Sequence, residues 1–150
     1  VRLKKLQRRS MLALAAWWAV CPAAAAPSPV GLWQTFDDHT GQPRAVVRIF
    51  EAGGVLHGRV EQILDAADTG QVCEKCRDER HGKPILGMEI FTDLRPTDDG
   101  WQGHILDPQT GSIYTCTARL TPDGQGFVLR GYIVISLIGR SQTWKRIPAA

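Results

Sequence analysis

Beyond its first ten positions the sequence has no cluster of lysine and arginine interleaved with aromatic residues, which removes nucleic acid and anionic membrane surfaces from the expected partners. It also lacks a bilayer-spanning run: the apolar stretch at residues 11–20 is about ten residues, against the roughly 18 to 20 that a spanning helix needs. No stable membrane insertion is expected. No long segment repeats with the 3.6-residue period of an amphipathic helix, so a helical bundle is excluded. His-Glu-x-x-His and Gly-x-Ser-x-Gly are both missing, and His39, His57, His81 and His104 fall on turns and wet strand faces. Asp37-Asp38, Asp98-Asp99 and the Glu89, Asp93 pair read as solvated or capping acids. The segment Asp107-Pro108-Gln109-Thr110-Gly111 offers one carboxylate where calcium needs several oxygen ligands, and reads as a hairpin turn. The expectation is a non-enzymatic protein without catalytic residues, bound metal or cofactor.

What is present begins with a basic stretch at residues 2–9, the apolar stretch at 11–20 and alanine-rich sequence up to Ala26. This order predicts a secretory signal peptide over residues 1–26, cleaved near residue 26, and a mature domain over 27–150 in the periplasm, with release from the cell as the alternative. Arg8-Arg9 is a poor match to the twin-arginine signal, and Val20 is too bulky for Cys21 to read as a lipid anchor. Five of the 18 basic residues (Arg2, Lys4, Lys5, Arg8, Arg9) lie in that leader, so against 15 acidic residues the remainder is weakly acidic.

In residues 27–150 the dominant period is two. Leu56, Gly58, Val60, Gln62 and Leu64 alternate with His57, Arg59 and Glu61, and Tyr114, Cys116, Ala118 and Leu120 alternate with Thr115, Thr117 and Arg119. Further strands are predicted at residues 31–36, 45–51, 87–94, 101–106, 126–133 and 142–147, about eight in all. Turn chemistry separates them at Thr40-Gly41, Gly53-Gly54, Asp98-Asp99-Gly100, residues 107–111 and Thr121-Pro122-Asp123-Gly124. The fold expected is all-β: a single antiparallel up-and-down β-barrel, because closure removes the unpaired edges of so many short strands. One long connection at residues 65–84 breaks the rhythm, as either a lid or a stapled surface loop.

That connection holds Cys73-Glu74-Lys75-Cys76. In an oxidising compartment the two thiols are expected to form a disulfide. Two other readings stay open from spacing alone: a zinc half-site completed by His81 with Cys116 or Asp78, and a redox pair, although no βαβ unit surrounds it. Cys116 reads as a small buried hydrophobe.

Gly31-Leu32-Trp33, Gly58-Arg59-Val60, the two cysteines with Lys83-Pro84-Ile85-Leu86-Gly87, Asp107-Pro108 with Gly111 and Tyr114, Arg130-Gly131-Tyr132 and Gly139-Arg140-Ser141-Gln142-Thr143-Trp144 follow one another in an order that resembles the bacterial secreted family known as domain of unknown function 2147. The resemblance covers essentially all of residues 27–150 and implies a calycin-like or lipocalin-like barrel exported to the envelope, with no activity to carry over. A weaker similarity to lipocalins implies that Trp33 plugs one barrel end beneath Arg140 or Arg146, a guanidinium over an indole contributing about 0.5 to 2 kcal/mol.

Eight strands enclose room for packed side chains or one small ligand. Gly58, Gln62, Cys116 and Ala118 fall on the inferred inner face with Trp101, Tyr114 and Phe127, predicting a partial cavity with a few polar groups. Gln62, Trp101, Tyr114, Phe127 and, at a mouth, Arg130 are therefore the candidate ligand contacts, and a small apolar or amphipathic molecule is the expected partner. The alternative is an envelope accessory protein that binds another protein through the long loop or a sheet face, with residues 132–139 as the apolar patch.

Overall fold

The computed structural model describes residues 27–132 and 139–148. Eight strands follow in chain order: β1 (Gly31–Phe36), β2 (Pro43–Ala52), β3 (Val55–Ile63), β4 (Glu89–Thr97), β5 (Gly100–Asp107), β6 (Ser112–Leu120), β7 (Gly126–Tyr132) and β8 (Gly139–Ile147). Each pairs antiparallel with the next, and β1 returns to β8 through Leu32↔Ile147, Trp33↔Arg146 and Gln34↔Lys145, closing the barrel. The predicted residues 126–133 and 142–147 correspond to β7 and β8, with residue 133 outside the described set.

Alternation supplies the interior. Trp33, Val47, Ile49, Leu56, Val60, Phe91, Leu94, Phe127 and Trp144 point inward and are nearly or wholly shielded from solvent. Their rings interlock down the axis: Phe127 lies 5.4 Å from Trp33, 6.2 Å from Trp101 and 6.0 Å from Trp144, which in turn lies 6.4 Å from Phe91. Offset aromatic contacts at such separations add stability beyond their burial. Gly58 makes the packing possible, since a Cβ there would collide with the Phe91 ring.

The alternation in β3 does not run unbroken. Val47 pairs with Val60 but Val46 pairs with Gln62, so Glu61 is an extra residue in the ladder. A bulge of this kind reverses the faces beyond it. Gln62, expected inside, is exposed, and Ile63 takes the inner position; Leu64 is exposed as well.

One end of the barrel is sealed. The Arg146 guanidinium sits 4.3 Å above the Trp33 ring and donates to the carbonyls of Gly124 (2.7 Å), Val30 (3.1 Å) and Ser28 (2.5 Å), while Trp33 Nε1 donates to Pro29 O (2.8 Å). Residues 28–30 are thereby strapped across the base. Of the two arginines expected over Trp33, Arg146 is the one in place. Arg140 stands at the far end of β8, because five residues of strand lie between the two.

The residues 65–84 fold as a stapled unit. Asp65 caps a short 3-10 turn, Ala66–Asp68, by accepting from Ala67 N, and Val72 pairs with Pro84. Cys73 and Cys76 form a disulfide, which packs with Met88 and Leu106 as a small second core. With both sulfurs in the disulfide, no thiolate is left for the zinc half-site, and that reading falls. The β5–β6 turn abuts this unit so closely that a Cβ on Gly111, whose φ is +68°, would strike the Lys75 carbonyl. Cys116 is wholly buried, and burial, with the Asp93 charge second, pushes its thiol up to about 12.

Between β4 and β5 the register runs only over Arg95↔Gln102, Pro96↔Trp101 and Thr97↔Gly100. Above it the Asp93 carboxylate replaces the ladder, accepting from His104 N at 2.9 Å and facing His104 Nδ1 at 2.7 Å.

Candidate functional site

In an up-and-down barrel the ends of odd strands and the beginnings of even strands share one rim. The end opposite Trp33 is that rim, and it opens into a cavity of about 470 Å³. Val47, Val60, Ile90, Leu129 and Trp144 form its floor, and Ala45, Ile63, Ile85, Ile105 and Tyr114 its walls. Gly131, opposite Cys116 and diagonal to Tyr114, keeps the wall thin there, the nearest Tyr114 atom lying 3.4 Å from where a Cβ would stand. Volume and apolar lining fall within the range of small-molecule sites.

Polar groups concentrate at the rim. Asp38, Arg44, Asp68, Asp107, Gln109, Arg140 and Gln142 border the opening. Two hydrogen-bonded chains organise them. On one side Trp144 Nε1 donates to Gln142 Oε1 (3.1 Å), Gln142 Nε2 donates to Asp38 Oδ1 (2.7 Å), and Arg140 lies 3.8 Å from Asp38 Oδ2. On the other, Arg44 donates to Asp68 Oδ2 at 3.0 Å, and Gln109 Nε2 donates to the same oxygen at 3.1 Å. This second chain ties β2, the loop over residues 65–84 and the β5–β6 turn together at the mouth. The loop is thus both stapled and part of the entrance.

Of the five ligand contacts expected from the sequence, Tyr114 lines the cavity. Trp101 and Phe127 belong to the aromatic packing with Trp33 and do not line the cavity, although Phe127 pairs with the floor residue Trp144 across the β7–β8 ladder. Gln62 is outside, turned out by the bulge at Glu61. Arg130 pairs with Ser141 on the outer face, its Nη1 donating to Ser141 Oγ at 3.3 Å, and does not line the opening. Tyr132 and Arg140 stand there instead. Most of the expected apolar patch, residues 133–138, lies outside the described residues.

Asp38 and Gln109, expected as turn residues, and Arg44, Asp68 and Gln142, which no motif marks, are rim residues that periodicity does not single out. Turn parity was the available signal: the β1–β2, β3–β4 and β5–β6 connections must meet at one rim, and they carry Asp38, Asp68 and Gln109. Among the described residues no group of three or more His, Cys, Asp and Glu is placed to hold a metal ion.

A profile of a bacterial family, described as uncharacterized protein conserved in bacteria (DUF2147), matches residues 31–146. No curated protein matches the chain. Among solved structures, HP1028 from the human pathogen Helicobacter pylori, described as belonging to the lipocalin family, superimposes with a TM-score of 0.70 at 16% identity, covering 82% of this chain and 85% of that one. At that identity the likeness concerns the fold.

Proposed function

This chain belongs to the bacterial family DUF2147, and on that footing we propose that it is an exported carrier whose barrel holds one small apolar or amphipathic molecule. The single observation behind the reading is the 470 Å³ lumen with an apolar floor beneath a polar rim. A tail gains from leaving water against Val47, Ile90, Leu129 and Trp144, while a polar head stays at the mouth. The lipocalin likeness of the fold agrees with such a use. Chemistry on the ligand is not part of the proposal.

Export forms part of the same proposal. The basic and apolar stretches before residue 27 support it, as does the Cys73–Cys76 disulfide, a bond that persists in oxidising compartments. Native mass spectrometry of the protein isolated from its own cell envelope tests both parts. The proposal expects a chain shortened by about 26 residues and a co-purified small mass that leaves on denaturation. A full-length cytoplasmic chain would refute export, and a captured protein partner in place of a small molecule would refute the carrier.

A further inference from the structure

The carrier reading leaves the ligand's polar end unspecified, and the rim identifies it by what its groups already hold. Each rim carboxylate already holds at least one donor. Asp38 accepts from Gln142, Asp68 from Arg44 and Gln109, and Asp107 from Gln109 N (3.0 Å) and Thr110 Oγ1 (3.0 Å). Arg44 is committed as well, to Asp68 at 3.0 Å and toward Asp37 at 3.6 Å. Apart from Asp38 Oδ2, the rim side chains without a hydrogen bond among the described residues can donate.

Arg140 has its side chain 77% exposed, and its one ion-pair contact among the described residues, to Asp38 Oδ2, is 3.8 Å long, beyond hydrogen-bonding reach. Tyr114 and Tyr132 line the same opening, and neither hydroxyl has a hydrogen-bond partner among the described residues. Two phenols and a guanidinium at the top of an apolar lumen call for acceptor oxygens. The acids around them bear on the choice too: a cationic head would compete with the donors seated on Asp68 and with Arg140 for Asp38 Oδ2, whereas an anionic head meets a guanidinium that needs only to leave a long contact.

Resting on the carrier reading, we infer that the ligand is a single-tailed amphipathic anion whose oxygen-rich head is held at the mouth by Arg140 with Tyr114 and Tyr132, its tail lying on Leu129 and Trp144. Specificity comes from Arg140, because a guanidinium matches a carboxylate or phosphate with two parallel N–H groups and an opposite charge, whereas a hydroxyl head brings neither the second acceptor nor the countercharge.

Four dodecyl amphiphiles below their micellar concentrations separate the possibilities by isothermal titration at neutral pH: dodecanoate, dodecyl phosphate, dodecanol and dodecyltrimethylammonium. The inference expects at least one anion to bind about tenfold more tightly than dodecanol, the gain of one charge-assisted contact, and the ammonium to bind worst. Whichever anion is tighter assigns the head as carboxylate or phosphate. Arg140→Gln should erase the anion preference, bringing anion affinity to that of dodecanol, and this exposed position should leave the melting temperature in place. If dodecanol binds and the anions gain nothing, or their gain survives Arg140→Gln, the head assignment is overturned and the carrier reading stands. If no amphiphile enters the wild-type protein, both fall.

Discussion

At the scale of single residues, Trp33 and Arg146 bear the most. Trp33 is wholly buried at the base, and Arg146 covers it while binding the carbonyls of Ser28, Val30 and Gly124. Trp33→Ala should cost about 3 to 5 kcal/mol, the range for a core aromatic, and Arg146→Ala about 2 kcal/mol from lost stacking and hydrogen bonds. Urea denaturation measures both. A midpoint unchanged in Trp33→Ala would show that the base is not closed by that ring. The pairing of a Gly-x-Trp with a late arginine was legible before any coordinates, but which arginine was not. Arg140 and Arg146 share an inward register, and only their distance along β8 separates mouth from base. Gln62 shows a different limit: a bulge leaves no mark in the residue types, so period-two reasoning carried straight through Glu61 and put the wrong side chain inside.

Among the elements, the loop over residues 65–84 is the one whose place could not be read. Its cysteines announced a staple, but its position against the β5–β6 turn depends on Gly111, Lys75 and the Leu106 contact, which are distant in sequence. The Cys73→Ser, Cys76→Ser double variant should remain a folded barrel while hydrogen exchange speeds up at Cys73 N and Gly82 N, whose acceptors are Lys83 O and Cys73 O. Gly111→Ala should loosen the same amides, since its Cβ meets the Lys75 carbonyl. Exchange unchanged in both variants would mean that the loop is held by other contacts. The strands themselves were well anticipated because each buries one face, and burial of one face is what alternation encodes. The β4–β5 seam was not, because an Asp93 side chain standing in for a backbone partner has no periodic signature.

For the whole molecule, charge sets an acid limit. The Arg80 guanidinium holds the Asp78 carboxyl down at about 2, from an ordinary 3.8, and Arg59 with His57 keeps Glu89 below its usual range. Asp93 is lowered as well: burial, the largest influence, pushes it up but is outweighed by its hydrogen bonds to His104. Groups whose values are depressed on folding stabilise the protein above the unfolded carboxylate range and lose that contribution as pH falls through the folded values. The melting temperature should therefore be level above about pH 5 and decline between roughly pH 4 and 2, with a shallower decline in Asp78→Asn. A profile flat to pH 2 would contradict these pairings.

The same closed cylinder packs Trp33, Phe91, Trp101 and Phe127 toward one end, with Trp144 as the floor of a hollow at the other, and that hollow is the account's central claim. Ala45 lies on its wall, where a larger side chain would occupy the space without entering the aromatic core below. Titration of dodecanol into the wild-type protein and into Ala45→Phe, with folding of each verified by its melting transition, tests the claim most directly. One molecule bound per wild-type chain, and none by the folded variant, is the predicted result; equal uptake by both, or no uptake by the wild type, would contradict it.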